Sequence, residues 1–134
     1  MKLLIHQQVL EQYSYDRWVM AGHFVKYCAR ALDLNDGVTI HVVEDRKRYG
    51  VETTGGTCDD GKTVYVYAKG RAYVDVLRTI AHELVHVRQH QDGYDRGHQL
   101  LHFDSDLEDE ANASGMSLLN AYSEVMGHDI VYQN

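Results

Sequence analysis

The sequence predicts one α+β domain: an N-terminal helix, a small three-stranded twisted sheet, and two further helices that carry the polar residues. Three observations predict it. Apolar residues recur at spacings of three and four over residues 9–32 and again over 73–91, the repeat of a helix that buries one face. Between these stretches lie β-branched and aromatic runs that alternate with period two, the repeat of half-buried strands. A chain of 134 residues with no proline, repeat or low-complexity linker is the size of a single domain with one core.

The first helix spans Val9 to Leu32, with Trp18, Ala21, Val25, Cys28 and Leu32 on its core face. Asn35-Asp36-Gly37 turns the chain into a strand, Val38 to Glu44, with His41 on its outer face. Thr53 to Cys58 reads as a weaker strand. Gly55 and Gly56 deplete its side chains, which either leaves a glycine loop or lets another backbone approach. Asp59-Asp60-Gly61-Lys62 makes a hairpin turn into Thr63 to Ala68, where aliphatic and aromatic residues alternate. The next helix runs from Tyr73 to Gln91. Its core stripe is Tyr73, Leu77, Ile80, Leu84 and Val87, Asp75 sits in its first turn, and Gly93 stops it. The last helix opens at Leu107-Glu108-Asp109-Glu110 and continues through Leu118 and Leu119 towards Met126.

The chemistry is concentrated in His82-Glu83-Leu84-Val85-His86. Residues four apart on a helix share a face, so both imidazoles reach one metal ion, and Glu83 flanks its open coordination position. Thr79, His82, Glu83, His86 and Gln89 lie together beside the apolar stripe rather than interrupting it. A third ligand is supplied by Glu108 on the last helix, where Ala111 and Gly115 permit close helix packing and Asn112 is placed to hydrogen-bond a ligand. Glu110 is the runner-up, about 200° round the helix from Glu108.

H-E-L-V-H followed some twenty residues later by E-x-E-A-N resembles the gluzincin metallopeptidases, in particular the small bacterial and phage ones, including the ImmA/IrrE type. The resemblance covers roughly Val38 to Leu119. It implies a zincin-like fold and one zinc ion per chain, held by His82, His86 and Glu108. Glu83 would then be the general base of peptide-bond hydrolysis, and the partner a protein or peptide substrate. By position, the Gly55–Gly56 segment resembles the gluzincin edge strand that pairs with extended substrate. A second pattern competes for the third ligand: Gly97-His98 resembles the G-H element of SprT-type proteases, although Gln99, Leu100 and Leu101 do not continue it. With Glu108 as ligand, Tyr94, His98 and His102 are candidates to donate to an oxyanion. A reading of another class is a zinc-binding regulatory domain that engages a partner without turnover. Glu83 argues against it, because a closed structural site has no use for a base.

Composition narrows the remaining classes. A formal charge of −7 with no basic stripe argues against binding a nucleic-acid backbone. Met1 to Gln8 turns polar too soon for a signal peptide, and no run approaches the roughly 20 apolar residues of a membrane span, so the sequence predicts a soluble cytoplasmic protein. Cys28 and Cys58 stand far apart, outside any C-x-x-C pairing, and read as reduced.

Overall fold

The computed structural model describes residues 1–51, 53–58, 60–94 and 105–126. The chain opens with a strand, β1 (Lys2–Ile5), then a single helical turn, α1 (Gln7–Leu10), and a long helix, α2 (Tyr15–Ala31). The sequence predicts one helix from Val9. It is broken because Ser14 caps a new start, its hydroxyl accepting from the Arg17 backbone N–H at 3.3 Å, with Asp16 in the first turn where the helix dipole favours a carboxylate. The residues between the two helices are tied down: the Trp18 indole donates to the Leu10 carbonyl at 2.7 Å, and the Tyr13 hydroxyl reaches the Arg71 carbonyl at 2.5 Å.

Strands β2 (Thr39–Val43), β3 (Gly55–Thr57) and β4 (Thr63–Tyr67) complete a sheet of four strands rather than three, in the order β1-β2-β4-β3. The central pairs are parallel, Leu3 opposite Ile40 and Ile40 opposite Val64, while β3 runs antiparallel to β4 on the edge. Cys58 N–H donates to the Thr63 carbonyl at 2.8 Å and Gly61 takes a positive φ of 67°, as a tight connection requires. Asp59 of the predicted turn lies outside the described residues.

Strand alternation sorts the two sheet faces. Ile40, Val42, Val64 and Val66 point into a core shared with Phe24, Val25 and Cys28 of α2 and with Leu77, Ile80 and Leu84 of α3 (Tyr73–Gln91). His41 takes the outer face, as its position in the alternation predicts, and stacks on Tyr65 at 4.9 Å between ring centroids. Burial pushes the Cys28 thiol up to about 12, so it remains an unreactive protonated group, and no disulfide joins it to Cys58. Among the described residues, no helix is long and apolar enough to cross a membrane.

The last helix, α4 (Ser105–Val125), packs against α3 and buries a stripe of Leu107, Ala111, Gly115, Leu119 and Tyr122 at spacings of four and three, with the Tyr122 ring against Phe24 and Tyr27 of α2. Gly115 sets the approach. A Cβ built there would stand 3.1 Å from the His82 backbone nitrogen and 3.3 Å from its Cα, and a backbone in the middle of a helix cannot step aside. Gly115→Val is therefore expected to destabilise the fold by about 1–3 kcal/mol through overpacking. Because it pushes Glu108 away from the histidines, it should also weaken metal affinity. Denaturant midpoints and zinc titration of the same variant check both effects.

Candidate metal centre

Two helices build the site. On α3, His82 and His86 stand one turn apart with ring centroids 4.7 Å from each other and planes at 84°, which brings their Nε2 atoms to 3.1 Å. From α4, the Glu108 carboxylate spans both rings, with Oε1 3.0 Å from His86 Nε2 and Oε2 3.2 Å from His82 Nε2. All three donor atoms fall within 4.8 Å of one another. Glu108, expected from the sequence as a third ligand, thus stands against both histidines, where the glycine contact between the helices lets α4 approach.

The donor set fits a metal ion on two counts. Tetrahedral coordination with bonds near 2.0–2.1 Å sets ligand atoms about 3.3–3.4 Å apart, close to the 3.1 Å between the two Nε2 atoms and to the 3.0 and 3.2 Å from each of them to its own Glu108 oxygen. The second count is the direction of the lone pairs. Gln89, buried, donates its amide N–H groups to the Leu107 carbonyl at 2.9 Å and to Glu110 Oε1 at 2.8 Å, which leaves its oxygen to accept from His86 Nδ1 at 2.7 Å. That fixes the proton of a neutral His86 on Nδ1 and turns the Nε2 lone pair towards Glu108. The His82, His86 and Glu108 donor atoms so placed could hold a metal ion.

Glu110, the runner-up, stands outside the three convergent donors and instead accepts from Gln89, the residue that orients His86. Its position round the helix from Glu108 is the register the sequence predicts. Asn112, expected to hydrogen-bond a ligand, is exposed at the rim of the cleft, and Gln89 makes that kind of contact instead. Gln89 was legible as one of the polar positions beside the stripe, but its partners lie on another helix, so its role was not. Tyr94 is 55% exposed just beyond α3, away from the residues that line the cleft. His98 and His102 lie outside the described residues.

Glu83 is 4% exposed, with Oε2 3.8 Å from His82 Nε2. Its other oxygen accepts from the Thr57 hydroxyl at 3.0 Å, so a strand fixes the direction of the carboxylate. Gly55, two residues earlier and on the same strand face, explains how β3 comes so near. A Cβ there would meet Thr79 Cγ2 at 2.8 Å and Glu83 Cγ at 3.0 Å. Gly55 thus serves close approach, of the Thr79 and Glu83 side chains rather than of another backbone, whereas a Cβ at Gly56 would meet nothing within 4 Å. Thr57 was not singled out from sequence; its place on the Gly55 face was the available signal, but the pairing of that face with α3 is non-local.

His82, Glu83 and Glu108 line a cleft of about 360 Å³. Thr53 and Thr54 line one side, Asn112 and Met116 the other, and Arg71, Asp75 and Arg78 its far end. Comparison with models of protein families, with curated proteins and with solved structures gives no match for this chain.

Proposed function

We propose that the protein is a zinc-dependent metallopeptidase of the gluzincin type, with His82, His86 and Glu108 as metal ligands and Glu83 as general base. The observation that carries this reading is the arrangement of three convergent donor atoms and a separately held carboxylate beside one cleft open to solvent, which His82, Glu83 and Glu108 line with His86 buried behind them. When bound, zinc would polarise the scissile carbonyl and make an attacking water more acidic.

The chain's own residues divide the remaining work. Glu83 accepts a proton from the attacking water and returns it to the departing amine, and the bond from Thr57 keeps one carboxylate oxygen occupied so that the other faces the cleft. Gln89 holds the His86 tautomer that a metal requires. Strand β3 is the sheet edge, and the residues leading into it line the cleft, so an extended peptide can lie along it by backbone pairing. A purely structural metal site would close its fourth position with a protein ligand. Here a buried carboxylate that is not among the convergent donors occupies that side, which favours turnover over the partner-binding alternative.

Digestion of an unfolded protein or a broad peptide library by zinc-loaded protein tests the reading. Cleavage abolished by a chelator and restored by zinc is expected. A loaded protein that binds peptides but cuts none would favour the non-catalytic alternative.

A further inference from the structure

The far end of the cleft, one helical turn from the metal ligands, carries charge that hydrolysis itself does not use. Arg78 precedes His82 by four residues and Thr79 precedes Glu83 by four, which puts both about 6 Å along the α3 axis from the reacting centre. Arg78 is partly exposed; its Nη1 donates to Asp75 at 2.9 Å and its Nε to the Met116 sulfur at 3.0 Å. Arg71 is held differently. Its guanidinium donates to the Tyr67 carbonyl at 2.6 Å, the Asp75 carbonyl at 3.1 Å and the Thr79 hydroxyl at 2.8 Å, all of them neutral acceptors. Among the described residues, no carboxylate forms an ion pair with it. The cleft end therefore holds, among the described residues, two guanidinium groups against the one carboxylate of Asp75, in a protein whose overall charge is −7.

A fixed, half-buried guanidinium with neutral partners is an incomplete ion pair. Burial, partly offset by the nearby Asp75 carboxylate, already pulls its pKa below the usual arginine value. Both Nη2 protons and one Nη1 proton are already donated, so the fixed guanidinium keeps its Nε–H and one Nη1–H for single charge-assisted bonds to an anion, at little further loss of freedom. An extended peptide advances about 3.3 Å per residue, so a residue one or two places from the scissile bond reaches this end.

We infer that the Arg71–Arg78 end of the cleft receives a substrate carboxylate, either an acidic side chain or a free C-terminus, within two residues of the bond that is cut. The inference rests on the peptidase reading and adds the substrate class.

Two synthetic decapeptide libraries separate the two sources: one acetylated and amidated, so that its only carboxylates are side chains, and one with free C-termini and no Asp or Glu. Zinc-loaded protein digests each, and mass spectrometry maps the cuts. Asp and Glu enriched about tenfold within two residues of the cuts in the first library identifies a side-chain carboxylate; cuts confined to the last two bonds in the second identify a terminal one. Arg78→Gln and Arg71→Gln should each reduce the preference, and Arg71→Lys should keep part of it. Arg78→Gln decides the matter if Arg71→Gln fails to fold. Peptide affinity of zinc-loaded Glu83→Gln, read by fluorescence anisotropy, should show the same preference without any cleavage and should weaken with added salt. Cleavage with no carboxylate preference, or a preference that survives the arginine variants that fold, overturns the inference and leaves the peptidase reading standing. Neither cleavage nor binding of any peptide overturns both.

Discussion

Replacing Glu83 with Gln is expected to leave metal content unchanged and to lower the rate of peptide hydrolysis by about two to four orders of magnitude. The substitution keeps the size of the side chain, and an amide oxygen can still accept from Thr57 at the 3.0 Å now seen, so the strand contact and the packing beneath Gly55 survive. What it removes is the base. Because Glu83 is 4% exposed and lies 3.8 Å from His82, the loss should appear in kcat rather than in substrate binding, and zinc measured in the same preparation excludes an indirect effect. Hydrolysis at the parental rate would show that the assigned base is wrong.

The second large effect is on zinc affinity. Glu108→Ala removes the carboxylate that spans both imidazoles at 3.0 and 3.2 Å, and is expected to weaken zinc binding by at least about a hundredfold, beyond what loss of an outer hydrogen-bond partner gives. Glu110→Ala should weaken it by no more than about tenfold, since it frees only one of the two anchors of Gln89 while the Leu107 carbonyl remains. His98→Ala should retain zinc. Competition titrations with a chromophoric chelator rank the three variants. Loss confined to His98→Ala would transfer the chain to the SprT arrangement, and loss confined to Glu110→Ala would mean that the α4 register differs from the one described.

The parts legible in the sequence are those governed by short-range repeats. The extent of α3, the core stripe along it, the inward and outward faces of β2 and β4, and the placement of Glu108 and Gly115 on one face of α4 all follow from periodicity within a single segment. What was missed depends on partners distant in the chain. Lys2-Leu3-Leu4-Ile5 is four residues with no helical or strand signature of its own, and becomes a strand because β2, more than thirty residues on, pairs with it. The break at Ser14 was hidden by an apolar spacing that runs across it. Thr57 and Gln89 act through contacts between elements, β3 on α3 and α3 on α4, which a one-segment pattern does not encode.

The central claim is that His82, His86 and Glu108 hold one metal ion. Elemental analysis of freshly purified protein that has never met a chelator tests it most directly. The account predicts about one zinc per chain, with a thermal midpoint that falls when the zinc is stripped and recovers when it is returned, because the ion binds the folded arrangement and not the unfolded chain. The apo form should stay folded, since the sheet and α2 form a core that does not depend on the ligands. Protein that contains no transition metal and takes up none when zinc is supplied would contradict the account.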